Sequence, residues 1–256
     1  MSDLSHIKEF LDEKVLQYNS ISFISSDPVQ IPHSFSKKED IEIAGFLTAT
    51  IAWGQRKSII LNAQRLMSMM PGGPHEFLIN ASDDDLKTFI IFVHRTFNGF
   101  DCIFFLKSLR NIYQNFGGLG SVFEESYLRN KDVYSTLAEF RELFLSLPES
   151  GRTSRHVSNV NKGSAAKRLN MFLRWMIRKD NHGVDFGLWE KIPMSALYIP
   201  LDLHSGNSAR KLGLLKRKQN DWKAVEELTG ILREFDSEDP VKYDYALFGL
   251  GVFEKF

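Results

Sequence analysis

Two residues of this 256-residue chain have the type and setting for covalent chemistry at an electrophilic carbon. Lys167 opens a basic amphipathic stretch, NKGSAAKRLNMFLRWMIRKD. Asp202 follows Pro200 and precedes a second cationic stretch, SGNSARKLGL. An unprotonated lysine amine is a nucleophile, and a carboxylate nearby can stabilise positive charge developing on the carbon it attacks. The free amides at a helix start can also hold a phosphate. Each residue has a plain reading as well. A lysine in a first turn opposes the helix dipole, which surface lysines tolerate. An acid at a helix start is a common cap. His204 is a polar neighbour of Asp202, and a lone histidine is more often structural than catalytic.

Helices must position this pair. After Gly163, Ala166, Leu169, Phe172, Leu173, Met176 and Ile177 form an apolar stripe, while Lys167, Arg174 and Arg178 share a polar face near Asn170. Upstream, Ile7, Leu11, Val15 and Tyr18 predict a helix over 5–18. Ser36 and Glu39 fit a capping box for IEIAGFLTATIAW, which is apolar on nearly all sides and predicts a core helix. A turn at Gly54 with Gln55, Arg56 and Lys57 leads to another helix, stopped by Pro71-Gly72-Gly73-Pro74. Helical spacing predicts further helices at about 83–95, 101–115, 119–128 and 132–147, then at 220–235 and 240–254. Residues 148–162 read as a flexible basic loop. No alternating strand pattern, repeat or low-complexity segment is present, so the expected fold class is all-α.

Net charge is zero, with 32 Lys and Arg against 32 Asp and Glu. The balance is uneven: residues 151–218 hold 14 basic against 4 acidic side chains, a local excess of +10. Such a field suits either a polyanion or a solvated lysine-rich loop. The single cysteine, Cys102, excludes an internal disulfide and a four-cysteine metal site. No secretory leader pattern or membrane-length apolar run occurs, which predicts a cytoplasmic protein without membrane attachment.

Gly163-Ser164-Ala165-Ala166-Lys167, and later Leu201-Asp202-Leu203-His204 with Ala209-Arg210-Lys211-Leu212-Gly213, resemble the helix-hairpin-helix superfamily of base-excision DNA glycosylases. Its endonuclease III and adenine-glycosylase types carry a lysine after a glycine hairpin and an acid in an apolar-Asp-x-His segment. Two further stretches agree in order: Ile43–Thr50 with the turn Trp53–Lys57, and Tyr245–Gly251. An uncharacterised bacterial family within the superfamily is similar too. The chain departs from the pattern at Ser164 and Ala165, where part of Gly-x-Gly is expected, and it lacks the iron–sulfur cysteines. Lys167 and Asp202 lie 35 positions apart, a longer connection that is more like the archaeal 8-oxoguanine glycosylase branch.

The resemblance implies a two-layer helical fold with a central cleft between two subdomains. One, discontinuous, would join residues 1–36 to 197–256. The other, barrel-like, would span 37–196 and carry the hairpin near 160–180. It implies a glycosylase with AP-lyase activity on an oxidised purine such as 8-oxoguanine. Lys167 would form a Schiff base with the sugar, and Asp202 would stabilise the sugar cation. Gln55, Arg56, Lys57, Lys162, Gly163, Ser164, His204, Asn207, Arg210 and Lys211 would contact DNA. The basic segments Arg152–Lys162 and Arg210–Lys218 would hold phosphates. The expected partner is double-stranded DNA with a damaged base, bound by a monomer without cofactor. The alternative is a DNA- or RNA-binding protein that keeps the scaffold without the chemistry.

Overall fold

The helical periodicities are realised along the whole chain in the computed structural model, which describes residues 2–148 and 150–256. In chain order the α-helices are α1 (Ser2–Tyr18), α2 (Ile21–Ile24), α3 (Lys38–Thr50), α4 (Arg56–Ser68), α5 (Pro74–Asn80), α6 (Asp83–Lys87), α7 (Gly99–Asn115), α8 (Leu119–Asn130), α9 (Val133–Phe144), α10 (Lys167–Ile177), α11 (Leu203–Lys211), α12 (Trp222–Phe235) and α13 (Tyr243–Val252). Short 3-10 turns join several of them. The described residues contain no strand, and the fold is all-α. None of their helices is long and apolar enough to cross a membrane.

The chain divides into two compact units. One gathers the described residues up to Ser25 with Asn159–Phe256; the other is Ser26–Ser158. The boundaries thus fall after Ser25 and Ser158, where the sequence suggests 36 and 196. The segment that follows the 158 boundary is bonded into the terminal helices. Arg174 of α10 pairs with Asp244 of α13, Arg178 reaches Asp239 at 2.9 Å, and Asn19 donates to Asp180 at 2.6 Å.

In the Ser26–Ser158 unit, α3 is buried on every face, as its composition predicts. Phe46 meets Phe105, Phe140 and Phe144 within 6.0 Å between ring centroids. Even Glu42 is enclosed there, and it accepts the Tyr113 hydroxyl at 2.7 Å. The capping box expected at Ser36 is not formed. Helix α3 starts at Lys38, one residue too late for Ser36 to serve, and Asp40 instead accepts the His75 amide of α5 at 2.7 Å.

Two other expectations change in this unit. The helix expected over 83–95 ends as α6 and a 3-10 turn, Thr88–Ile91. Beyond it, Phe92 and His94 are buried while Val93 is exposed, the alternation of extended backbone, and Arg95 and Thr96 then turn the chain so that His94 and Phe97 bond to each other. The expected flexible loop at 148–162 contains 3-10 turns at Arg152–His156 and Val160–Lys162. Its first turn is anchored by buried Thr153, whose hydroxyl donates to Asp101 at 2.9 Å, and by Arg141, which donates to the Val157 carbonyl at 3.2 Å.

In the other unit α10 buries its apolar stripe, including Phe172, Leu173, Met176 and Ile177. Each such side chain contributes about 1.5–3 kcal/mol relative to exposure. The returning chain closes the helix end: the Phe186 amide donates to the Trp175 carbonyl at 2.8 Å and that of Leu188 to Met176 at 2.6 Å. Helix α13 packs on both α1 and α11. Gly249 permits the first contact, since a β-carbon there would lie 2.2 Å from the Tyr18 ring.

Candidate active site

The approach to Lys167 is a tight hairpin. Asn159 accepts the Lys162 amide through its side chain and the Ser164 amide through its carbonyl, at 3.2 and 3.1 Å. Gly163 turns the chain at φ +80° and donates to the Val160 carbonyl at 2.8 Å. Its own carbonyl accepts the Trp222 amide at 3.0 Å, which pins the hairpin to the start of α12. Ala166 then occupies the cap position of α10 at φ +48°. A non-glycine residue in that left-handed region is strained by roughly 1–2 kcal/mol. Alanine has no side-chain acceptor, so it caps none of the first-turn amides.

Lys167 is the first residue of α10 and is half-buried. Among the described residues its amine makes one hydrogen bond, to the Met171 Sδ at 3.4 Å, and no ion pair. Thioether sulfur is a weak acceptor. The amine is thus held by contact without being tied up by a carboxylate.

Asp202 stands at the start of α11 in the opposite condition. Its Oδ1 accepts the amides of His204 and Ser205 at 2.8 and 3.0 Å, and the Ser205 hydroxyl donates to it at 3.2 Å. The Ser205 Oγ in turn accepts the Asp202 amide at 3.0 Å, completing a capping box. The Asp202 carbonyl is fixed by Asn220 Nδ2 at 2.9 Å. All three side-chain bonds fall on Oδ1, so Oδ2 lies outside the cap. One carboxylate can therefore cap a helix and still present an oxygen to a ligand.

A second carboxylate relates the two. Asp244, in the first turn of α13, is buried and ion-paired with Arg174 of α10. Burial pushes its carboxyl up to about 6; Arg174 opposes that rise, Asp202 adds to it, and Lys167 opposes it. Lys167 and Asp202 thus both act electrostatically on one buried group. Lys167, Asp202 and Asp244 stand at the starts of α10, α11 and α13, which belong to the same unit.

Behind this point lies a ring of buried charges. Arg174 Nε donates to Asp185 at 3.3 Å, Arg178 Nη1 to Asp185 at 3.1 Å and the Tyr245 hydroxyl to Asp185 at 2.9 Å. Arg174 also lies 4.3 Å over the Tyr245 ring. The polar face read on α10 therefore turns inward. Three cations of the basic stretch 151–218 are thereby neutralised: Arg174 and Arg178 by Asp185, Asp239 and Asp244, and Arg217 by Asp221. Asp244 and Asp239 escaped notice because the acids lie far along the chain. The legible signal was an acid just ahead of the apolar run YALFGLG, where burial demands a partner.

The remaining expected contacts are distributed as follows. Lys162 and Gly163 are exposed on the hairpin and Ser164 is half-buried. On α11, His204 and Asn207 are exposed. Arg210 is turned inward, donating to the Arg217 carbonyl at 2.8 Å and to Asn220, and Lys211 lies 5.5 Å over the Phe256 ring. Gln55, Arg56 and Lys57 lie in the other unit, at the start of α4. Of the aromatic candidates for base stacking, Phe172, Trp175 and Trp189 are core residues, while Trp53 is half-buried. Among the described residues no group of three or more His, Cys, Asp or Glu could hold a metal ion. Burial pushes the Cys102 thiol far above its usual range, so it is inert.

A family model described as "Protein of unknown function (DUF2400)" matches residues 27–253. No curated protein and no solved structure matches the chain.

Proposed function

The chain belongs to the DUF2400 family, and for it we propose a base-excision DNA glycosylase with AP-lyase activity. What supports this reading is the pairing of an amine held only by a thioether with a half-engaged carboxylate, both acting on Asp244. In the proposed reaction the Lys167 amine, as a free base, attacks the sugar carbon that bears the damaged base. The new carbon–nitrogen bond replaces the glycosidic bond, whose electron pair and a proton leave with the base. The Asp202 Oδ2 stabilises the positive charge that develops on the sugar. Ring opening yields a Schiff base; loss of a proton from the adjacent sugar carbon expels the 3′ phosphate and nicks the strand. The target nucleotide must first be flipped out of the duplex, costing a few kcal/mol of stacking and pairing. An oxidised purine such as 8-oxoguanine is the substrate we favour. The hairpin at Lys162–Ser164 and exposed Asn207 are the proposed DNA contacts in this unit.

The test is borohydride trapping on duplexes carrying 8-oxoguanine, uracil or an abasic site. The wild-type protein should form a covalent adduct, and Lys167→Gln should form none while unfolding at the same denaturant concentration. Absence of any adduct across the panel, with folded protein, sinks the lyase. A second reading draws on the cap itself: the Oδ1 bonds give Asp202 a structural role whether or not chemistry occurs. On that reading the protein binds nucleic acid without cleaving it, and it would retard a duplex but trap nothing.

A further inference from the structure

The Ser26–Ser158 unit carries its own cationic cluster. Its centre is the Thr96 carbonyl, which accepts from Arg152 Nη2 and from Arg155 Nη2, each at 3.0 Å. Arg95, the preceding residue, is held at φ +54°. Non-glycine residues in that region persist where the surroundings enforce them, and such places concentrate at binding sites. The Arg95 side chain lies across the bare backbone of Gly54: a β-carbon there would meet its Nη1 at 2.7 Å. Arg95, Arg152 and Arg155 are all exposed.

The local charge is not cancelled. Arg152 touches Asp101 at 3.3 Å, but that carboxylate is fully buried and is shared with His156, Thr153 and the Asn98 amide. Arg155 Nε donates to the His156 ring at 3.3 Å. A guanidinium has five donors, and with two contacts made by each of Arg152 and Arg155 the remaining donors face an outside acceptor. Exposed Ile91 and Val93 continue the same extended ridge. Arginines beside exposed apolar side chains are the combination that groove-binding proteins present to a duplex.

We infer that Arg152 and Arg155, joined on the Thr96 carbonyl, and Arg95, the residue before it, form a phosphodiester clamp on the Ser26–Ser158 unit that holds duplex DNA independently of its sequence. The inference rests on the reading of the protein as DNA-acting and adds a second contact surface to it. The planar fork of each arginine matches two phosphate oxygens at once. The Thr96 bonds pre-orient two of the three forks.

The test titrates full-length protein into an undamaged labelled duplex of about 20 base pairs, from about 50 to about 300 mM KCl. Arg95→Ala/Arg155→Ala is the informative variant, because neither residue touches buried Asp101. Each phosphate contact contributes about 0.9 to the slope of log affinity against log salt. The double variant should therefore lose roughly 2 from that slope and bind roughly tenfold or more weakly at the lowest salt. An unchanged slope, or no binding by the wild-type protein, overturns the clamp. Competition by poly-glutamate as effective as by duplex overturns its nucleic-acid class. Borohydride trapping by the wild type is read in parallel. A reduced slope without trapping sinks the lyase alone, and trapping with an unchanged slope sinks the clamp alone.

Discussion

Helices α10 and α11 begin in opposite ways. Asp202 closes the start of α11 with a complete capping box, so the proposed chemistry and the stability rest on the same carboxylate. The start of α10 is left open: Ala166 is strained, offers no acceptor, and is followed by a lysine that opposes the dipole. The open start is held from elsewhere, by the Gly163 carbonyl bond to Trp222 and by the buried charges further along α10. A nucleophile has to remain accessible and unpaired, which local stabilisation would prevent. A charge-stabilising carboxylate can afford to be anchored, because one of its two oxygens suffices.

The sharpest way to break this comparison is to remove the distant support. Arg174→Met leaves Asp244 without its cation and Asp185 with Arg178 alone, and breaking such a buried pair costs about 3–5 kcal/mol. Urea denaturation should show that loss; a change within experimental error would mean that α10 does not depend on the ring of charges. The cap at α11 is next. Asp202→Ala should lower stability by about 1 kcal/mol, whereas Asp202→Asn keeps an equivalent acceptor and stays within a few tenths. The asparagine variant should nonetheless slow adduct formation, which separates the cap from the charge. At the hairpin, Gly163→Ala meets no atom within 4 Å, so its effect is backbone strain alone, about 1 kcal/mol in the same measurement.

A separate test is a pH dependence at Asp244. The Asp244 carboxyl is raised from 3.8 to about 6 in the fold, so folding favours its protonated form. Its contribution is fully present below about pH 4 and is lost as the pH rises through about 6. Wild-type stability minus that of Asp244→Asn should fall across this window and level off above it. A flat difference would show that Arg174 holds Asp244 ionised throughout.

Much of the fold was legible because most helices carry their own signals. The apolar faces of α3 and α10, the proline and glycine stop before α5 and the Asp83–Asp85 run at α6 all lie in local spacing and composition. The failures have a common cause. Residues 92–97 and 150–158 are ordered by partners outside the local window: Trp53 and Arg152 hold the first, Asp101 and Arg141 the second. At the candidate site, Lys167 and Asp202 could be singled out by type and place, but Asp244 could not be joined to them.

The sequence by itself determined the all-α class, the burial of the α10 stripe and the positions of the two helix starts, since periodicity and capping act over a few residues. Only the tertiary structure decided which charges are spent inside. Asp239 and Asp244 neutralise arginines that are 61 and 70 positions away, because desolvated ions must find partners wherever the fold brings them. That pairing turned two arginines of the basic stretch into a buried network, and of the three cations read on the α10 polar face it left Lys167 without an ion pair among the described residues.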